Sequence, residues 1–282
     1  MTFRERRYTS HDGLALYFRD YGDAASEAIP VVCLSGLTRN SKDFHETALR
    51  LSANRRVLCP DYRGRGMSAY DPDPRNYVAP TYVRDVMNLL AATNVHRAVV
   101  IGTSLGGLLA MALSAAIPAA LAGVVLNDIG PDINPGGLQA IIEYIRIDRP
   151  QPDWESAVHT LKTVMPRVVF RDESAWMMVA KTTFKPGADG LLHFDWDVRI
   201  VEPLLDPPEP VPDLWALYRG LRHIPTLAIR GGESDILLAP CFDRMAAEKP
   251  DLVRLTVPGI GHAPTLLEPE CVAAIDDFLA RI

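Results

Sequence analysis

From Ala98 to Leu126 the chain carries no charged side chain, and this stretch constrains the fold more than any other. On length alone it could span a bilayer, and Gly102 and Gly106 have the spacing of a membrane helix-dimer motif. Ser104 and the glycines interrupt it early, however, and Pro118 breaks any helix late. Three short pieces result. Residues 98–101, Ala-Val-Val-Ile, read as a buried strand; Leu105 to Ile117 reads as a buried helix; residues 123–126, Gly-Val-Val-Leu, read as a second strand. A membrane helix is therefore rejected in favour of a strand–helix–strand unit.

That unit recurs. Residues 3–8 and 14–21 alternate apolar and polar positions around His11-Asp12-Gly13, a hairpin signal. Continuous apolar runs follow at residues 31–34, 57–59 and 226–229, with a last strand expected at 253–257. Runs of this kind fit parallel strands covered on both faces. Helical spacing lies between them, clearest at Val83, Val86, Met87 and Leu90, and again at Val272, Ile275, Leu279 and Ile282. An α/β sheet with helices on both sides, opened by an antiparallel hairpin, is the expected product.

The alternation fails between Pro131 and Pro212, which hold 11 of the 23 prolines. Short helices are expected around Ile141, Ile142 and Ile145 and around Val158, Leu161 and Val164, with no strand ladder. The segment reads as a helical cap, residues 131–215, inserted in a core of residues 1–130 and 216–282. Of the chain's 35 acidic and 29 basic residues, the cap holds 14 and 8, so it accounts for the whole net charge of −6. This acidity argues against a nucleic-acid groove and predicts a field that favours neutral or cationic substrates. With 48% hydrophobic residues the chain is not disordered. Cys33, Cys59, Cys241 and Cys271 lack metal-ligand spacing and read as free thiols. The N-terminus has no apolar stretch of the secretory kind, so a cytoplasmic protein without a membrane partner is expected.

Ligands of a doubly wound sheet bind at the carboxyl ends of its strands. There, Gly102-Thr103-Ser104-Leu105-Gly106 matches a G-x-S-x-G nucleophile elbow, with a strand before it and a helix after it. Glycines two residues either side remove side chains that would clash at the sharp turn, and Ser104 sits at a helix N-terminus that favours developing negative charge. A serine hydroxyl needs a base near neutral pH. Of seven histidines, His262 stands apart in Pro258-Gly259-Ile260-Gly261-His262, a glycine-rich loop after the last strand. Two strand-end carboxylates can orient it: Asp128 and Asp235. Asp235, in the loop after the penultimate strand, is favoured, with Asp128 as an auxiliary acid or a polar wall.

The elbow, the Arg230-Gly231-Gly232-Glu233-Ser234-Asp235 loop and the Gly261-His262-Ala263-Pro264 loop resemble the α/β-hydrolase superfamily, and the order of elements matches over nearly the whole chain. The resemblance implies an eight-stranded sheet and a triad of Ser104, Asp235 and His262. It also implies an oxyanion hole from the backbone amides of Leu105 and Leu37. Many members have His-Gly where this chain has Ser35-Gly36, so a side chain that supports the oxyanion loop in relatives is missing here.

Cofactor-free hydrolysis of a small carboxylic ester or lactone through an acyl-enzyme on Ser104 is the expected chemistry. The alternatives are a carbon–carbon hydrolase of a diketone ring-cleavage product and a non-catalytic ligand-sensing homologue. Perhydrolase or haloperoxidase-like activity ranks below these. Arg39, Asn40, Trp154 and Trp176 are candidate pocket residues, although Asn40 reads equally as a helix cap. His193-Phe194-Asp195-Trp196-Asp197 reads as structural rather than as a metal site. Asp61-Tyr62-Arg63-Gly64-Arg65-Gly66 reads as a tight loop, since no phosphate-binding pattern follows. The partner is a small-molecule substrate. No bound metal or cofactor is called for.

Overall fold

Apolar runs covered on both faces form the middle of an eight-stranded sheet in the computed structural model, which describes residues 3–164, 173–206 and 212–282. The strands are β1 (Arg4–Thr9), β2 (Ala15–Tyr21), β3 (Val31–Leu34), β4 (Val57–Pro60), β5 (Ala98–Thr103), β6 (Leu121–Asn127), β9 (Thr226–Gly231) and β10 (Val253–Val257). Two further short strands, β7 (Phe184–Pro186) and β8 (Leu192–Phe194), lie outside it. The spatial order is β1-β2-β4-β3-β5-β6-β9-β10, with β1/β2 and β2/β4 antiparallel and the other pairs parallel. Each element expected for the sheet is present.

Ten α-helices complete the described chain: α1 (His45–Leu51), α2 (Ala79–Ala92), α3 (Leu105–Ala116), α4 (Pro135–Ile145), α5 (Trp154–Val164), α6 (Ser174–Thr183), α7 (Glu202–Leu205), α8 (Leu214–Arg219), α9 (Ala239–Glu248) and α10 (Pro269–Leu279). The period-2 alternation of strand side chains sorts the core into two layers. Along β5, Ala98 and Val100 face the layer that holds Leu109 and Leu113 of α3. Val99 and Ile101 face the layer that holds Ile275 and Phe278 of α10. Because both faces are covered, β3, β5 and β6 read as continuous apolar runs. No helix among the described residues is long and apolar enough to cross a membrane.

Strand order changes direction at β3. Its neighbours are β4 on one side and β5 on the other, so the loops leaving β3 and β5 diverge and leave a crevice between them. Residues of α4 and α6, in the segment between β6 and β9, line one cavity with the loops after β3 and β5. Helices α4 and α5 form where the sequence predicts them, but β7 and β8 correct the expectation of no strands. Phe184 pairs with Phe194 and Pro186 with Leu192. Three-residue strands are too short to show a period, and Pro186 obscures the signal further. What holds the hairpin is ring packing: Phe194 stacks on Trp196 with centroids 4.0 Å apart.

Candidate active site

Ser104 lies between β5 and α3 with φ 52° and ψ −117°, a conformation that side chains rarely adopt. The surrounding chain enforces it. A Cβ on Gly102 would strike the Gly106 backbone, and one on Gly106 would strike the Leu34 carbonyl. Ser104 N–H donates to Asn127 O at 3.0 Å, which fixes the elbow against the end of β6. The ladder of α3 begins with Gly107 and Leu108 N–H donating to Ser104 O, so the N–H groups of Leu105 and Gly106 precede any helical carbonyl they could reach, as at an anion-binding helix start.

The loop after β10 brings His262 Nε2 to 3.1 Å from Ser104 Oγ. On the far side of the ring, His262 Nδ1 lies 2.7 Å from Asp128 Oδ2. The sequence-based choice of Asp235 is thereby corrected: the carboxylate against the imidazole is that of Asp128, at the end of β6. Asp235 lines the cavity instead, and its backbone carbonyl accepts from Asn134 Nδ2 at 2.8 Å. Asp128 is fully buried, and its Oδ1 accepts from Gly231 N–H at 2.7 Å. Its Oδ2 accepts from Ser234 Oγ at 2.6 Å as well as facing the imidazole. These donors fix the carboxylate in place, and with its Oδ2 facing Nδ1 the imidazole donates from Nδ1 and leaves Nε2 as an acceptor for the serine hydroxyl. Asn127 fastens the assembly by donating to Thr103 Oγ1 at 3.0 Å and to Pro264 O at 2.9 Å.

The loop after β3 passes directly beside Ser104: a Cβ on Gly36 would lie 3.7 Å from Ser104 Cβ. Leu37, the next residue of that loop, lines the same cavity as Ser104, and Leu105 follows the serine as the first residue of α3. Ser35 replaces the missing histidine support by donating from its Oγ to Arg39 O at 3.1 Å. Tyr62 OH donates to Ser35 O at 3.1 Å, and Arg65 Nε to Leu37 O at 2.9 Å. The tight loop after β4 is thus a scaffold for the loop after β3. Sequence reasoning missed Tyr62, Arg65, Ser234 and Asn127, because their roles depend on contacts between strand ends that no local spacing encodes.

A cavity of about 1200 Å³ opens over Ser104 and His262. Arg39 lines it, paired with Asp43 and donating to the hydroxyls of Thr182 and Thr183 on α6. Burial works against the Arg39 charge, but Asp43 more than offsets it and holds the guanidinium above its ordinary value. The other three pocket candidates are corrected. Asn40 is buried, caps the turn at Lys42 and donates to Asp195 Oδ2 at 3.1 Å. Trp154 and Trp176 pack on the apolar core and are absent from the cavity wall. The acidity of the inserted segment is also absent from that wall. Among the described residues, the one charge that residues 131–215 place there is Lys181. His193, Asp195 and Asp197 turn to separate partners, Asp148, Lys42 and Arg199.

A family model described as "Alpha/beta hydrolase family" matches residues 31–275. The chain belongs to the alpha/beta hydrolase family. Similar alpha/beta hydrolases include the 3-hydroxybutyrate-oligomer hydrolase of Cupriavidus necator, 32% identical over 268 residues that cover 93% of this chain and 91% of the relative. The 2-(acetamidomethylene)succinate hydrolase of Mesorhizobium japonicum is 26% identical and covers 86% of this chain and 85% of its own length. A crystal structure of an alpha/beta hydrolase from Novosphingobium aromaticivorans superposes with a TM-score of 0.92 at 44% identity, covering 100% of this chain and 99% of that one. These relatives make the chain a hydrolase of this family, with the eight-stranded sheet described above.

Proposed function

We propose that this hydrolase cleaves a small carboxylic ester by way of an acyl-enzyme on Ser104. The observation that carries the reading is the continuous chain from Ser104 Oγ through His262 to the buried Asp128, at 3.1 and 2.7 Å. Ser104 Oγ attacks the acyl carbon while His262 Nε2 takes its proton. The carbonyl oxygen becomes an oxyanion between the Leu37 and Leu105 amides. His262 then protonates the departing alkoxide, leaving an ester on Ser104. A water deprotonated by the same nitrogen attacks that ester, and collapse releases the acid and restores the serine. Apart from that water, every group used is a residue of the chain.

For the substrate, the 3-hydroxybutyrate-oligomer relative supports an oxoester of a hydroxy acid, and Lys181 on the cavity wall supports a substrate with a carboxylate. Replacing Ser104 by alanine is expected to abolish both turnover of 4-nitrophenyl acetate and labelling by a fluorophosphonate. Turnover surviving in that variant would refute the acyl-enzyme. Screening hydroxy-acid ester dimers beside lactones and diketones tests the substrate class, and faster consumption of a diketone than of any ester would favour carbon–carbon hydrolysis.

A further inference from the structure

Two arginines of the loop after β4 are buried completely, and the chain treats them in opposite ways. Arg63 is surrounded by carboxylates: Asp12, Asp71 and Asp85 all lie within 2.7 Å of its guanidinium. Arg65, two residues on, has no carboxylate within ion-pair distance among the described residues. Its Nε donates to Leu37 O at 2.9 Å, and its Nη1 donates to Arg63 O and Tyr82 OH, both at 2.8 Å. Its Nη2 has no partner. The rings of Tyr62, Tyr77 and Tyr82 surround the guanidinium carbon at 5.9, 5.6 and 4.9 Å. Asp61, the acid of the same loop, gives its oxygens to the amides of Ser41 and Met67, and burial pushes its carboxyl up, away from the charged form.

A buried cation without a counter-ion is costly, and proteins ordinarily pair or remove it. Tyrosine faces offset part of that cost, yet the centre still carries a positive charge in a low-dielectric place. Leu37 N and Leu37 O belong to one residue, so Arg65 Nε sits within about 7 Å of the Leu37 amide. Resting on the acyl-enzyme reading above, we infer that Arg65 is a positioning residue for the oxyanion. It fixes Leu37 by its carbonyl and supplies, from behind the loop, the positive charge that the negative tetrahedral intermediate itself balances. The missing carboxylate is then part of the mechanism, because a fixed acid beside Arg65 would cancel the field where the oxyanion forms.

The test compares wild type with Arg65→Gln, which keeps a donor near Leu37 O but no charge. We expect kcat for 4-nitrophenyl acetate to fall about 10- to 100-fold with KM within twofold, less than the loss of a whole oxyanion donor. Affinity for a trifluoromethyl ketone, whose Ser104 adduct is anionic, is expected to fall by the same factor. Affinity for the neutral alcohol product is expected to stay constant. A lowered melting temperature with kcat and ketone affinity unchanged would overturn the inference and leave Arg65 a packing residue. Should Arg65→Gln fail to fold, Arg65→Lys takes its place. One ammonium cannot hold Leu37 O and Tyr82 OH together, so a three- to tenfold loss of ketone affinity is expected with product affinity intact. Equal losses in both affinities, or a loss in neither, overturn the assignment. Ser104→Ala, run in parallel, separates failure of this inference from failure of the acyl-enzyme itself.

Discussion

Asp128 Oδ2 lies 2.7 Å from His262 Nδ1 although 134 residues separate them in the chain. The pairing joins the end of β6 to the loop after β10 across the end of β9, whose Gly231 N–H also binds the carboxylate. A buried carboxylate anchored by these donors is placed to hold one tautomer of the imidazole. Asp128→Asn preserves the shape but presents an amide to Nδ1, which favours the wrong tautomer. It is expected to lower kcat about 10³- to 10⁴-fold. Asp235→Asn is expected to change kcat by less than about fivefold, as suits a cavity-wall residue. Steady-state kinetics on the two purified variants decides between them, and the larger loss in Asp235→Asn would reverse the assignment made from geometry.

The contrast between these two aspartates shows where sequence reasoning stops. Ser104 is legible because its signal is local: an apolar strand, glycines two residues away on each side, and a helix. His262 is legible because it sits in a glycine-rich loop that follows a strand. The acid is a different matter, since Asp128 and Asp235 both follow strands that end on the same side of the sheet. What selects Asp128 is its backbone, with φ 55°, and the hydroxyl of Ser234 reaching it from the neighbouring loop. Neither can be read from spacing. The same holds for the walls: tryptophans in a proline-rich insertion look like pocket residues, yet Trp154 and Trp176 pack on the core. The acid count of the insertion, which predicts a negative field, fails because its acids turn to partners such as Lys42, Arg199 and His193 rather than to the cavity.

Gly106 tests the elbow as a packing problem. A Cβ there would strike Leu34 O on the neighbouring strand, and the backbone cannot yield as a flexible side chain could. Gly106→Ala is expected to cost about 3 kcal/mol or to prevent folding. Leu108→Ala, in the same helix at a partly buried position, provides a milder comparison. Chemical denaturation of the two proteins measures the difference, and a near-neutral Gly106→Ala would mean that α3 is free to shift away from β3.

Lys181 tests the charge of the cavity. Its neighbours on the wall, Arg39 and Lys42, are already tied to Asp43 and Asp195, so their charges are largely balanced. No carboxylate lies within ion-pair distance of Lys181 among the described residues. For an ester with a free carboxylate, Lys181→Met is expected to raise KM about three- to tenfold at low salt, with kcat little changed, since the lost contact serves the ground and transition states alike. Salt should shrink the difference. The KM of the neutral methyl ester analogue should not move, and equal effects on the two substrates would remove Lys181 from substrate recognition.

His193 lies on β8 between two carboxylates, with Nδ1 2.6 Å from Asp148 Oδ2 and Nε2 3.0 Å from Asp189 Oδ2. Hydrogen bonds to Asp148 and then Asp189 hold its pKa above the ordinary value of 6.5. A histidine whose folded value is raised contributes stability that is fully present below its unfolded value near 6.5. That contribution disappears as pH rises through the folded value. Asp148→Asn removes the charge but keeps an oxygen that can accept from Phe194 N–H, as Asp148 Oδ1 does now at 3.1 Å. The variant is therefore expected to melt below wild type at pH 5.5 and to converge with it at pH 9. Because the ring keeps 29% of its side-chain exposure, water screens the pair, and the gap at pH 5.5 is expected to be no more than about 2 °C. An NMR titration of the His193 ring measures the cause directly: its midpoint should lie above 6.5 in wild type and move down in Asp148→Asn. A midpoint at or below 6.5 in the wild type would show that the carboxylates do not hold the proton.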